Sequence, residues 1–287
     1  MSGAADMQTG EAVGVGGVDP TLTVPLIAAM LVAWTASIVV AARLAVRLRR
    51  GLPMVDPRPH PPVTWGGADV AAVAAMFIGL LMAAGWWVRP ESALRLQLAA
   101  DVITKLGATL AGLAVLRMAG ASWAALGFGG ERVVDDLRIA VGGLALVLAP
   151  LLGIAAILDR IVPYRHPVVT FLQTERDPVA IGLVVLAAVC VAPVAEEFFF
   201  RRVLQGWLEC RLPEADGAVA IGLSAAAFAA AHAGHGLAAG PLFLLGVVLG
   251  VVARRTGSLG ACIGLHALFN AVSVGLILAS PPGQGGA

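Results

Sequence analysis

Three short stretches in the C-terminal part of this 287-residue chain carry side chains that could do chemistry. They are Ala195-Glu196-Glu197-Phe198-Phe199-Phe200-Arg201-Arg202, Phe228-Ala229-Ala230-Ala231-His232, and His266-Ala267-Leu268-Phe269-Asn270. On a helix Glu197 and Arg201 lie four apart and face each other, whereas Glu196 stands about 100° away around the axis. One carboxylate is thus neutralised by a guanidinium while the other is left available. His266 and Asn270 share a helix face by the same spacing, and the amide offers two donors. Jointly, a carboxylate, two imidazoles and an amide supply a base, a group to position water, and donors for a developing oxyanion. His235, three residues past His232 in glycine-rich sequence, is a further candidate. The same residue types also serve as polar glue between helices, and a Glu–Glu pair also joins arginine networks at helix ends.

The background decides how much weight such groups carry. The chain is 59% apolar before its 35 glycines are counted, and only 13% charged. Its mean hydropathy is +0.89. Soluble domains carry about 25% charged residues, so a soluble enzyme, a disordered chain and a nucleic-acid-binding domain are all excluded. The composition is that of an all-α polytopic membrane protein. A net charge of +1 gives no bulk attraction to an acidic partner. Each ionisable group within lipid costs at least about 2.5 kcal/mol, so an apolar helix that contains several calls for a function.

The elements that must position these groups are apolar stretches near the ~20 residues that span a bilayer. They predict eight transmembrane helices, at about 22–46, 68–88, 98–119, 137–158, 179–210, 217–235, 239–255 and 258–279. The fifth is too long for one straight span, and Pro193 predicts a kink in it. Residues 1–21 form an acidic, glycine-rich tail outside the membrane, with no basic stretch of a signal peptide, and 281–287 form a second tail. Residues 22–165 hold four helices, interrupted at 51–67 by a stiff connector with Pro53, Pro57, Pro59, Pro61 and Pro62. Residues 166–280 hold all three chemical stretches. Placing the N-terminus outside the cytoplasm puts thirteen of eighteen arginines on the cytoplasmic side, so both termini are expected outside it. Gly246/Gly250 and Gly260/Gly264 permit close helix contact. Cys190, Cys210 and Cys262 form no CxxC pair and read as small apolar residues.

At Glu196-Glu197-x-x-x-Arg201, Phe228-x-x-x-His232 and His266-x-x-x-Asn270 the sequence resembles the CPBP family of intramembrane proteases, also called the CAAX-protease/Abi family. Its motifs are EExxxR, FxxxH and HxxxN on successive helices, and all three stand here in order over roughly residues 170–280. The resemblance implies an eight-helix fold whose active site opens within the membrane. By motif position it implies that Glu196 activates a water and His232 helps to hold it. His266 and Asn270 would stabilise the oxyanion, and Glu197, Arg201 and Phe228 would support the site. Members of the family trim prenylated CAAX proteins, and others in bacteria are linked to bacteriocin immunity, peptide maturation or regulated proteolysis.

The expected activity is therefore an intramembrane endopeptidase in a bacterial cell membrane, acting on membrane-embedded or membrane-associated peptides, with no nucleic acid involved. Glu196, His232 and His266, with or without His235, have the residue types of a zinc site. There is no HExxH, and the resemblance implies a metal-free glutamate mechanism, so no cofactor is expected. A non-catalytic immunity or scaffold protein and a proton-relay transporter are the competing readings. The transporter needs a polar path, and the first four helices offer little beyond Asp69, Asp101 and Lys105.

Overall fold

The fold is seen in a computed structural model that describes residues 20–89, 92–129, 132–162, 167–175, 177–212, 217–234 and 236–279. All the regular secondary structure among these residues is helical. The long elements are α1 (Pro20–Arg49), α2 (Gly67–Trp87), α3 (Leu94–Met118) and α4 (Val133–Ile161). A short α5 (Pro167–Thr174) leads to α6, continuous over Pro178–Arg211. Then come α7 (Ala218–Ala231), α8 (Ala239–Thr256) and α9 (Leu259–Ala279). Seven of these are long and apolar enough to cross a membrane, which makes this a multi-pass membrane protein.

The sixth expected span, at about 217–235, is shorter than the sequence suggested. α7 ends at Ala231, with His232 as its C-cap, instead of running on to 235. Fourteen residues reach about 21 Å, short of the ~30 Å hydrocarbon core. The helix thus stops short of a full crossing, and its C-cap is the candidate site residue His232. The alanine run and the following glycines are apolar throughout, which is why hydropathy alone hid the end. His235 lies outside the described residues.

α6 is the central pillar. It touches α2, α3, α7, α8 and α9, and far more of it is buried inside the bundle than of α1. Around it α2 pairs with α3, α7 with α8, and α4 is sandwiched between α1 and α9. The glycine pairs do what their spacing suggested. A Cβ on Gly246 would come within 3.1 Å of Ala225, one on Gly250 within 2.9 Å of Ile221, and one on Gly264 within 3.2 Å of Ala140. Close backbone approach thus sets the α7–α8 and α4–α9 contacts.

α6 departs from a regular α-helix in two stretches, Leu186–Val191 and Glu197–Gln205, which are π-helical. Between them sits Pro193, at the start of an α-helical turn (Ala192–Glu196). Proline removes one donor from the ladder, and π-turns rearrange the i→i−4 bonding in helices, often at functional sites. Carbonyls of these turns accept from neighbouring side chains. Asn270 Nδ2 donates to the Ala188 oxygen at 2.8 Å, Ser224 Oγ to Phe200 at 2.8 Å, and Trp65 Nε1 to Val203 at 3.0 Å. α6 is thereby tied to α9, to α7 and to the proline-rich connector.

The loop between α3 and α4 folds inward, burying Ala121, Ala125 and Leu126 against Trp65, Phe198 and Val203. Arg202, almost wholly buried, donates from Nε to the Ala125 carbonyl and lies over the Trp65 ring. Gly127 turns this loop with φ +86°, and a Cβ there would meet Leu259 at 2.9 Å, so the position requires glycine twice over.

Candidate active site

The two glutamates have opposite surroundings. The side chain of Glu197 is fully buried, with Arg201 Nε donating to its Oε2 at 3.2 Å. The i,i+4 pairing read from the sequence is therefore present, and its residual burial problem is met from another helix. His266 Nδ1 lies 2.8 Å from Glu197 Oε1. Because an ionised carboxylate only accepts, the imidazole donates there. Glu196 points elsewhere: its side chain is 18% exposed, and its Oε2 faces two imidazoles.

Those imidazoles are held by their far sides. His232 Nδ1 is 2.8 Å from the Phe228 carbonyl, which again can only accept. Nδ1–H therefore donates, and in the neutral ring Nε2 presents a lone pair. His232 Nε2 is 4.0 Å from Glu196 Oε2, and His266 Nε2 is 3.9 Å from the same oxygen. These spacings are too long for a direct hydrogen bond. They suit a small molecule held between the groups. The His232 side chain is 21% exposed and that of His266 only 4%, so the constellation is open on the Glu196–His232 side and closed behind.

Phe228 organises this arrangement. It is fully buried, with its ring centroid 4.9 Å from that of His232 and 5.7 Å, edge-on, from that of His266. The Arg201 guanidinium lies 5.1 Å from the same ring, a cation–π contact in a dry setting. One side chain of α7 therefore spaces both imidazoles and covers the arginine that neutralises Glu197. Asn270, one turn past His266, uses an amide N–H on the Ala188 carbonyl and so anchors α9 to α6. Its second N–H and its carbonyl oxygen are left for other partners.

Ser224 was not singled out in the sequence. It is fully buried, accepts from Arg201 Nη1 at 3.0 Å and passes its own proton to Phe200. The signal was there in the spacing: Ser224, Phe228 and His232 are four apart and line one stripe of α7. Ser224→Ala removes the acceptor from a buried guanidinium whose Nη2 has no hydrogen-bond partner among the described residues. The expected loss is about 1–3 kcal/mol of stability, readable in reversible unfolding from mild detergent. Ser224→Thr, which keeps the hydroxyl, should recover part of it.

Glu196 stands fifteen residues before the Arg211 end of α6, and His266 seven residues after the first residue of α9. Among the described residues no three His, Cys, Asp or Glu side chains converge as a ready metal-ion site.

Residues 178–272, about a third of the chain, match the family model described as type II CAAX prenyl endopeptidase Rce1-like. The match takes in Glu196, Glu197, Arg201, Phe228, His232, His266 and Asn270. No curated protein and no solved structure matches the chain.

Proposed function

We propose, from the premise that residues 178–272 belong to the Rce1-like peptidase family, that this chain is an intramembrane endopeptidase working through a glutamate-activated water. The observation that carries the reading is the convergence of two imidazole Nε2 atoms, at 4.0 and 3.9 Å, on Oε2 of Glu196, whose neighbour Glu197 is the one of the pair bound to Arg201. A water set between Glu196 and His232 would donate one hydrogen to each. Its oxygen lone pair would then face a peptide carbonyl delivered from the more open side. Glu196 takes the proton as the water oxygen bonds to the carbonyl carbon, and returns it to the leaving amine as the C–N bond breaks. Proton and oxygen are thereby accounted for.

The oxyanion formed in between needs donors. Asn270 has one amide N–H beyond its bond to Ala188. His266 donates from Nε2 only with both ring nitrogens protonated, and Glu197 supplies the counter-charge at its Nδ1. Glu197 and Arg201 thus act through His266 as positioning residues, and Phe228 fixes the spacing of the rings. The substrate class is a membrane-embedded or membrane-associated peptide, and the setting a bacterial cell membrane with both termini on the non-cytoplasmic side, α7 and the residues after it counting as an eighth crossing. The test is proteomics of membranes containing wild-type protein or Glu196→Ala. New peptide termini that vanish in the variant are expected; identical terminus sets at equal protein levels would replace the peptidase with a binding role.

A further inference from the structure

A cavity of about 790 Å³ lies between α1, the proline-rich connector, the first turns of α4 and the last turns of α8. None of Glu196, His232, His266 and Asn270 lines it. Its volume is that of a site for a small organic ligand. The lining divides by chemistry. Leu44, Ile139, Leu146, Val248 and Val251 form an apolar wall. Against it stand four arginines, Arg47, Arg58, Arg132 and Arg138, and only two aspartates, Asp56 and Asp135.

The connector is fastened over this space. Arg47 bonds Asp56 at 2.5 Å and the Pro53 carbonyl at 3.0 Å. Arg58 bonds Asp136 at 2.5 Å, and its backbone N–H donates to Arg255 at 2.8 Å. Arg138 is 3.1 Å from Asp135 with its side chain 75% exposed, and Arg132 has no carboxylate partner among the described residues. The cavity is therefore preformed, and its exposed positive charge sits on Arg132 and Arg138. The occupant must be apolar along one side and anionic at one end, and it must be found in a membrane.

We propose that this cavity binds an anionic phospholipid, with the phosphate at Arg132 and Arg138 and an acyl chain along Leu44, Ile139 and Val248. Guanidinium forks match phosphate oxygens in pairs. Basic pockets between helices on the cytoplasmic side recognise anionic headgroups, and the arginine-rich end of this bundle is the one that the positive-inside rule assigns to the cytoplasm. A bound lipid would join α1 and the connector to α4 and α8.

The test uses the full chain in neutral detergent, offered equal amounts of phosphatidylglycerol and phosphatidylcholine, with retained lipid counted by native mass spectrometry. Phosphatidylglycerol is expected to be retained over phosphatidylcholine by about tenfold, and the paired variant Arg132→Ala, Arg138→Ala to lose most of that preference. Gly142 lines the cavity, and a Cβ added there meets nothing within 4 Å. Gly142→Phe should therefore fill the space and lower retention with every arginine intact. Glycerol phosphate, a headgroup without chains, should not compete. Equal retention of the two lipids by the wild-type protein, or full competition by glycerol phosphate, overturns the proposal whether or not a variant folds. So does a preference unchanged in both variants.

Discussion

Glu196→Gln is expected to remove peptide hydrolysis, by about 10²–10⁴-fold, while the protein keeps its helicity and its melting behaviour. The amide has the volume of the carboxyl and still offers an oxygen acceptor to a water. It has lost only the ability to take a proton. The Glu196 side chain is 18% exposed and is not hydrogen-bonded to either facing imidazole, so its replacement strands no buried partner. A fall in kcat with unchanged stability separates a proton-transfer role from a structural one. His232→Ala should lower turnover through a different route, by leaving the water with a single acceptor. Assays in chelator, with zinc added back, complete the test. Undiminished wild-type turnover in chelator is expected, and loss restored by zinc would replace the glutamate-activated water with a metal-bound one. Retained hydrolysis in Glu196→Gln would sink the assignment of the base.

The spans were legible because hydropathy in a chain this apolar is a direct statement about solvent. Every long helix lies within a few residues of its expected place. What hydropathy could not show is where α7 ends, since Ala231 and the glycines after His232 are as compatible with the bilayer as the helix itself. That missed end matters, because it places His232 on a terminus where its ring turns back onto Phe228. The pairing of Glu197 with Arg201 followed from helical spacing alone. The pairing of Glu197 with His266 did not, because spacing within one helix says nothing about which of two adjacent carboxylates a neighbouring helix meets. The π-turns of α6 were likewise hidden. Their composition is that of any apolar helix, and their carbonyls are taken up by Trp65, Ser224 and Asn270 from three other parts of the chain. The burial of Arg202 against the α3–α4 loop was hidden for the same reason, since its partners lie on another part of the chain.

Arg201→Ala is expected to be the most destabilising single change in the site, by about 3–5 kcal/mol, because it leaves a charge buried without its partner. Glu197 would retain only His266, and the covering of Phe228 by the guanidinium would go. Glu197→Ala should cost a similar amount for the mirror reason, leaving Arg201 with Ser224 as its only hydrogen-bonding neighbour among the described residues. Removing both should cost far less than the two losses together, since the second substitution removes the orphan created by the first. A coupling of about 1–3 kcal/mol in the double-mutant cycle is the expected reading, and losses that simply add would show the pair to be incidental. The functional consequence is separable from the structural one. With Glu197 gone, nothing holds Nδ1 of His266, so the ring loses the orientation that aims Nε2 at Glu196. Glu197→Gln keeps an oxygen to accept from Arg201 Nε and turns an amide N–H toward His266, which can meet it only as a ring with Nδ1 unprotonated, so the bonding survives while the counter-charge for a doubly protonated His266 is lost. Its kcat should therefore fall further than its stability, whereas a purely structural pair would lose the two in proportion.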